Sequence, residues 1–132
     1  MFVRHKDSAA KRLREGLTSI CLLARGDVPG DQLAVTWVDV EPGGRQIPHH
    51  HPEVQVYVIV RGLGRMRVGD AERDVSAGDL IHVPSGEWHG ITNTGDTVLS
   101  YVSAATPAFD YTLAYDRGLL TEEAYLPPAT GA

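Results

Sequence analysis

The chain lacks the features of a membrane or secreted protein. No apolar run approaches the roughly 18 residues of a transmembrane helix, and the first residues, MFVRHKDSAAKRLREG, contain no apolar stretch typical of a signal peptide. We therefore expect a cytoplasmic protein. The single cysteine, Cys21, excludes an intrachain disulfide and a cysteine-built zinc site. Its surroundings, SICLLA, predict a small buried hydrophobic residue.

The chain also has little positive charge. Its 12 lysines and arginines are outnumbered by 17 aspartates and glutamates, so that the net charge is −5. No nucleic-acid partner is expected, because proteins that bind nucleic acid present basic surfaces to the phosphates. The length of 132 residues is enough for one domain with a single core, and we expect one domain over residues 1–132.

Long helical periods are lacking as well, and short apolar runs recur instead. The runs are rich in Val, Ile, Tyr and Trp, and Gly, Pro and Asp separate them. None of the eight prolines lies inside a run. This pattern predicts an all-β fold, a single antiparallel β-barrel or jelly roll. Two short helices, at residues 7–16 and 121–126, and a disordered tail at 127–132 are the expected exceptions. The predicted strands cover residues 17–24, 33–40, 54–60, 64–68, 72–75, 79–83 and 97–103.

Three histidines stand at the start of one predicted strand, in IPHHHPEVQVYVIVRG. Alternation along a strand places His49, His51 and Gln55 on one face. Imidazoles at positions i and i+2 lie about 6.6 Å apart, close enough to bind one metal ion. An extended chain from His51 to Gln55 would span about 13 Å, so Gln55 joins the histidines only if the chain bends at Pro52–Glu53. A solvated polar loop is the alternative interpretation.

Two spaced patterns in this part of the chain carry a family resemblance. The first consists of Gly43, His49, His51, Gln55 and Gly62, and the second of Gly78, Pro84, Gly86, His89 and Asn93. Together they resemble the paired motifs of the cupin superfamily, in particular its small single-domain conserved-barrel members. Gln55 stands where the family has Glu.

The resemblance covers residues 33–104, with a strand segment at 16–24 before it and an extension at 105–132 after it. It implies a small antiparallel β-barrel whose lumen holds one divalent transition metal ion. The implied ligands are His49, His51, Gln55 and His89. Imidazole suits several metals alike, so that Fe, Mn, Ni, Zn and Cu all remain candidates.

Gln55 replaces a negatively charged ligand by a neutral one. The ion would then keep its full divalent charge, which strengthens its Lewis acidity and disfavours a trivalent state. We therefore expect a metal-dependent isomerase or lyase that acts on a small oxygen-rich organic acid or sugar derivative. A metal-dependent dioxygenase and a noncatalytic metabolite- or sugar-binding protein are the alternatives.

One subgroup of cupins, which processes unsaturated uronates, is similar in a shorter stretch. It shares the pattern His-x-His-Pro-x-x-Gln, present here from His49 to Gln55, and a Thr-Pro segment matched by Thr106 and Pro107. The subgroup has Arg where this chain has Phe109, and a carboxylate substrate favours such a guanidinium. Arg45, near the expected mouth of the metal site, is the candidate replacement.

Several other side chains are candidates for work at this site. Tyr57 follows Gln55 on the same face and is a candidate acid, base or hydrogen-bond donor, the alternative being a core tyrosine with a satisfied hydroxyl. Trp88 and Trp37 are candidates for stacking on a substrate, the alternative being packing. Asn93 is expected to hold a neighbouring loop, and His50 is expected to be exposed.

An apolar stripe opposite the expected ligands predicts a second subunit. The stripe would be a costly patch in contact with water. A homodimer would cover it, and the rival cover is the apolar N-terminal segment 17–24. The stripe consists of Val54, Val56, Val58 and Val60.

Overall fold

Antiparallel strands dominate the part of the chain that the computed structural model describes, residues 1–14, 16–30 and 32–108. These residues form ten strands and one three-residue 3-10 helix, Lys6–Ser8. The all-β prediction is therefore confirmed. In chain order the strands are β1 (Ala10–Arg14), β2 (Leu17–Leu23), β3 (Ala34–Val40), β4 (Arg45–His49), β5 (Val54–Arg61), β6 (Leu63–Val68), β7 (Ala71–Ser76), β8 (Leu80–Val83), β9 (His89–Asn93) and β10 (Leu99–Thr106).

The strands form two sheets that enclose one core. The six-stranded sheet has the order β1-β2-β3-β10-β5-β8, and the four-stranded sheet has the order β4-β9-β6-β7. Apolar side chains alternate along the strands, so that Tyr57 and Ile59 are buried while Val58 and Val60 are exposed. Both sheets contribute to the core: Leu17, Val38, Val40, Tyr57, Ile59, Val83, Leu99 and Tyr101 from the larger, and Met66, Val75 and Ile91 from the smaller.

The prediction of a helix at residues 7–16 is wrong. Residues Ala10–Arg14 form β1, which pairs with β2 from Ala10↔Cys21 to Arg14↔Leu17. Leu13 is the one large apolar residue of this segment, AKRLR, so a helix here would have little apolar surface to bury. Pairing with β2 instead satisfies its backbone hydrogen-bonding groups. The predicted helix at 121–126, the tail at 127–132, Phe109 and the extension beyond residue 108 lie outside the described residues.

Two glycines shape the part of the barrel where the histidines lie. A side chain at Gly90 would come within 2.9 Å of the Gln46 carbonyl oxygen and 3.1 Å of the Pro48 nitrogen, so β4 runs very close to β9 there. Gly86 has φ +76° in the turn after β8, a conformation that favours glycine. Its N–H donates to the carbonyl of His51 at 2.8 Å, which ties this turn to the histidine segment.

The expectations for membrane-spanning helices and for the single cysteine can be compared with the fold. None of the described residues forms a helix long and apolar enough to cross a membrane. Cys21 is buried, as predicted, and this burial raises the pKa of its thiol.

Candidate metal centre

Three histidines from two distant stretches of the chain meet inside the barrel. His49 ends β4, His89 begins β9 directly opposite it, and His51 lies in the connection to β5. One nitrogen from each ring lies within 4.8 Å of the other two. The chain bends at Pro52–Glu53, which is the condition under which Gln55 was expected to join the histidines. The three-histidine group could therefore hold a metal ion.

Backbone carbonyls fix the orientation of all three rings. A carbonyl oxygen only accepts hydrogen bonds, so each Nδ1 carries the proton and each Nε2 presents a lone pair as an acceptor. Histidines that bind metals are commonly held in this way. The Nδ1 contacts are His49 to Ile47 O at 2.9 Å, His51 to Glu53 O at 3.0 Å and His89 to Glu87 O at 2.9 Å.

Gln55 lies on the open side of two of these rings. Its Oε1 is 2.9 Å from Nε2 of His51 and 3.1 Å from Nε2 of His89. With the proton on Nδ1, both nitrogens and the amide oxygen are acceptors, and acceptors that face one another gain nothing from the contact. A cation among them would satisfy all three. The donor set therefore fits a transition metal ion, for which imidazole is a preferred ligand.

Ser103 was not predicted to belong to this site. The Gln55 amide Nε2 donates to its Oγ at 3.0 Å, which turns the amide oxygen toward the histidines. Ser103 lies on β10, which pairs with β5. The two residues are 48 positions apart in sequence, and no local pattern links them.

Burial keeps two of the histidines neutral. Burial, with a smaller contribution from the neighbouring His89, lowers the pKa of His49 to about 3. Burial likewise lowers the pKa of His89 to about 4. Both imidazoles are uncharged at pH 7, the form in which histidine binds metals.

We expect the metal-free protein to lose stability as the pH falls from 6.5 toward 4. In this window an unfolded histidine, with a pKa of about 6.5, binds a proton that the folded protein does not take up. Linkage then gives a loss of about 2 kcal/mol for each of His49 and His89 at pH 5. Urea unfolding of chelator-treated protein at pH 7.5 and pH 5 measures it. His49→Gln should remove about half of this pH dependence, and exposed His82→Gln should leave it unchanged. An unchanged slope in His49→Gln would contradict the assignment.

Tyr57 lies beside the histidines with its hydroxyl already bonded. The side chain is fully buried, and its hydroxyl donates to Gln46 Oε1 at 2.5 Å. Its ring stacks on Tyr101 at 4.7 Å and meets His89 edge-on at 6.0 Å. This is the arrangement of a core tyrosine with a satisfied hydroxyl, and a catalytic role for Tyr57 stays a prediction.

Arg45 is not brought together with the histidines. It pairs with Thr92 on the outer face of the four-stranded sheet, where it lines a groove of about 300 Å³ together with Arg65 and Arg67. Arg45 and His49 are four residues apart, and strict alternation would place both inside. A bulge between Gln46 and His49 shifts the register of β4 and reverses the faces.

The two tryptophans, which were candidates for stacking on a substrate, lie in different places. Ala34, Val38 and Val40 are on the buried face of β3, and Trp37 is on the opposite, outer face. There its Nε1 donates to Asp39 Oδ1 at 2.9 Å. Trp88 precedes His89, and its ring lies 4.4 Å from the ring of His50. Trp88 is thus near the histidines, and Trp37 is not.

Three further polar residues have clear positions. Asn93 is buried and donates to the carbonyls of Val40 and Thr97 at 2.9 and 2.8 Å, so it holds a neighbouring loop as predicted. His50 is exposed, also as predicted. His82, whose facing alternation alone did not decide, pairs with Val56 and is exposed on the outer face.

The fold and the site together define a class. An antiparallel two-sheet barrel with histidines converging in its interior is a jelly roll with a candidate metal centre. Residues 36–105, more than half of the chain, match the family model described as a cupin domain. The chain belongs to the cupin family.

Several known proteins are similar to this chain. An oxalate-binding protein of Thermotoga maritima is 35% identical over 54 residues, which are 41% of this chain and 45% of that protein. KdgF from Halomonas sp. superposes with a TM-score of 0.72 at 18% identity, covering 83% of this chain and 96% of that one. The polyketide cyclase RemF from Streptomyces resistomycificus gives 0.70 at 20% identity, covering 96% and 99%.

The structural and the sequence similarities support different conclusions. The two structural likenesses, at such low identity, show the shared fold alone. The matched stretches span 13% to 58% of the curated relatives' own lengths. A match to part of a relative does not show that this chain shares the relative's activity.

Proposed function

We propose that this cupin is a metal-dependent enzyme that performs isomerase or lyase chemistry on a small oxygen-rich organic acid or sugar derivative. The observation that carries the proposal is the uncharged donor set. The Nε2 lone pairs of His51 and His89 point at the amide oxygen of Gln55, and His49 is neutral beside them. The three histidines and Gln55 would hold one divalent transition metal ion.

The uncharged donor set favours Lewis-acid chemistry. A divalent ion bound there would polarise a substrate carbonyl and stabilise negative charge on its oxygen. An acidic substrate would restore the charge balance. The relative named as an oxalate-binding protein points to the same class of ligand.

Noncatalytic binding of a small acid is the second candidate. It is favoured by the hydrogen bond that occupies the Tyr57 hydroxyl, because Tyr57 was the candidate acid or base. The relative whose name includes only binding of oxalate also favours it. Ligand binding without turnover would separate it from the enzyme.

Elemental analysis of protein purified without added metal tests the metal site first. We expect about one transition metal ion per chain. A screen of small keto and uronic acids, with and without oxygen, then tests the chemistry. Turnover that needs no oxygen supports the isomerase or lyase, whereas oxygen consumption would identify a dioxygenase. Protein that takes up no metal would contradict the proposal.

Gln55→Glu is expected to keep or raise metal affinity and to change the turnover rate by about tenfold or more. The added negative charge attracts the ion but reduces its Lewis acidity. Isothermal titration with Zn²⁺ and steady-state kinetics on a substrate from the screen measure the two effects. Gln32→Glu, at an exposed position, is the matched control and should change neither. An unaltered rate in Gln55→Glu would show that the ligand's charge does not matter to the chemistry.

We also propose that the protein is a homodimer. Val58 and Val60 are 39% and 43% exposed on the outer face of the six-stranded sheet. The N-terminal segment, the rival cover, extends the far edge of this sheet as β1 and β2, beyond β3. A second copy of the chain is therefore the favoured cover for the valines.

A further inference from the structure

A carboxylate with one buried oxygen lies next to the candidate metal centre. Glu53 follows His51 by two residues, and its Oε2 is 3.4 Å from Nδ1 of that histidine. The Glu53 side chain is 17% exposed. Among the residues that the structure describes, this oxygen has no hydrogen-bond partner.

The Glu53 carboxylate cannot be a ligand in this arrangement. It lies on the Nδ1 side of the His51 ring, whereas Gln55 lies on the Nε2 side. The Nδ1–H donates to the backbone carbonyl of Glu53 at 3.0 Å. The carboxylate oxygen is therefore close to the positive end of this N–H bond without taking the hydrogen bond itself.

A buried carboxylate oxygen without a hydrogen bond is costly unless a positive charge compensates for it. The group that Glu53 faces is the His51 imidazole, which is neutral when its Nε2 binds a metal. A divalent ion on Nε2 would supply the missing positive charge through the ring. A carboxylate behind a metal-bound histidine in turn makes that histidine a stronger electron donor.

This arrangement is specific to one of the three histidines. Each ring contacts a backbone carbonyl two residues away, in Ile47, Glu53 or Glu87. Ile47 has no charge, and the Glu87 side chain is exposed and lies against Gly69. Of these three, Glu53 is the one with a buried carboxylate oxygen beside a ring.

We propose that Glu53 is a positioning residue that supplies, from behind His51, the negative charge that Gln55 lacks as a ligand. The ligands themselves would then all be uncharged. The Glu53 carboxylate, which contacts the ligand His51 and not the ion, would stabilise the bound dication. This inference rests on the metal-binding part of the proposed function.

Glu53→Gln tests the inference by two readouts that should move in opposite directions. Removing the charge should weaken Zn²⁺ binding about tenfold to a hundredfold. The melting temperature of the metal-free protein should stay the same or rise, because the negative charge on a buried oxygen without a hydrogen bond is lost. A merely structural role for Glu53 would instead lower that melting temperature. Competition with a chelator of known affinity gives the first value, and calorimetry of metal-free protein gives the second.

A matched control and a second substitution complete the experiment. Glu41→Gln removes the same charge from an exposed position and should leave Zn²⁺ affinity unchanged. Adding Gln55→Glu to Glu53→Gln should restore the affinity, and by a larger factor than Gln55→Glu gains when Glu53 is present. Such a difference is the coupling expected if both positions supply one charge.

Three results would overturn the inference. They are an unchanged Zn²⁺ affinity in Glu53→Gln, a lower melting temperature or loss of folding of its metal-free form, and equal gains from Gln55→Glu in both backgrounds. Wild-type protein that binds no Zn²⁺ or other divalent transition metal would overturn the proposed function itself. Wild-type binding with any of the three results overturns the role of Glu53 alone.

Discussion

His51→Ala is expected to weaken metal binding by at least about a hundredfold, so that the purified variant contains almost no metal. The Nε2 of His51 lies 2.9 Å from Gln55 Oε1 and is one of the three converging nitrogens. Without His51, two histidines and the Gln55 amide oxygen remain as donors. Of the two histidines, His89 has its Nε2 close to Gln55 Oε1, at 3.1 Å. Elemental analysis and titration with Zn²⁺ measure the loss.

His50→Ala is the matched control for this loss. His50 is the neighbour of His51 in sequence, but it is exposed, its ring contacts Trp88, and it lies outside the three-histidine group. Its removal should leave the metal content unchanged. If His51→Ala kept its metal while His50→Ala lost it, the site would have been assigned to the wrong face of the segment.

The strands that sequence predicts well are those with an apolar core face. β2, β3 and β5 carry alternating or continuous apolar residues, and their predicted bounds agree with the structure within one residue. β4 and β9 were not predicted, because several of their residues are polar or small residues of the candidate metal centre and its surroundings. β4 contains Pro48 and His49, and β9 contains His89, Gly90 and Asn93, so neither has the apolar pattern of a strand.

The ligand candidates could be predicted because the paired motifs of the cupin resemblance include all four, and strand alternation places three of them on one face. His49, His51, Gln55 and His89 do come together, and the bend at Pro52–Glu53 that the distance required is present. The supporting residues could not be predicted, for two reasons. Ser103 reaches Gln55 through pairing between strands that are distant in sequence. Arg45 is turned outward by a bulge, which alternation does not foresee.

Val58→Asp is expected to convert the proposed dimer into a monomer of 14.3 kDa. Val58 lies between Leu80 on β8 and Val102 on β10, so these three residues form an apolar row across the outer face of the sheet. Leu80 is 62% exposed. In a two-fold symmetric interface both subunits would bury the new carboxylate without a partner, which is strongly unfavourable.

The measured mass separates loss of the dimer from loss of the fold. Val58 is exposed, so the aspartate should change the stability of the subunit itself by only about 0.5 kcal/mol. Leu63→Asp is the matched control, because Leu63 is 54% exposed on the other sheet and should leave the dimer intact. Light scattering at micromolar concentration decides the matter. A wild-type mass near 14.3 kDa would refute the dimer, and a Val58→Asp protein that keeps the dimer mass would place the interface elsewhere on the surface.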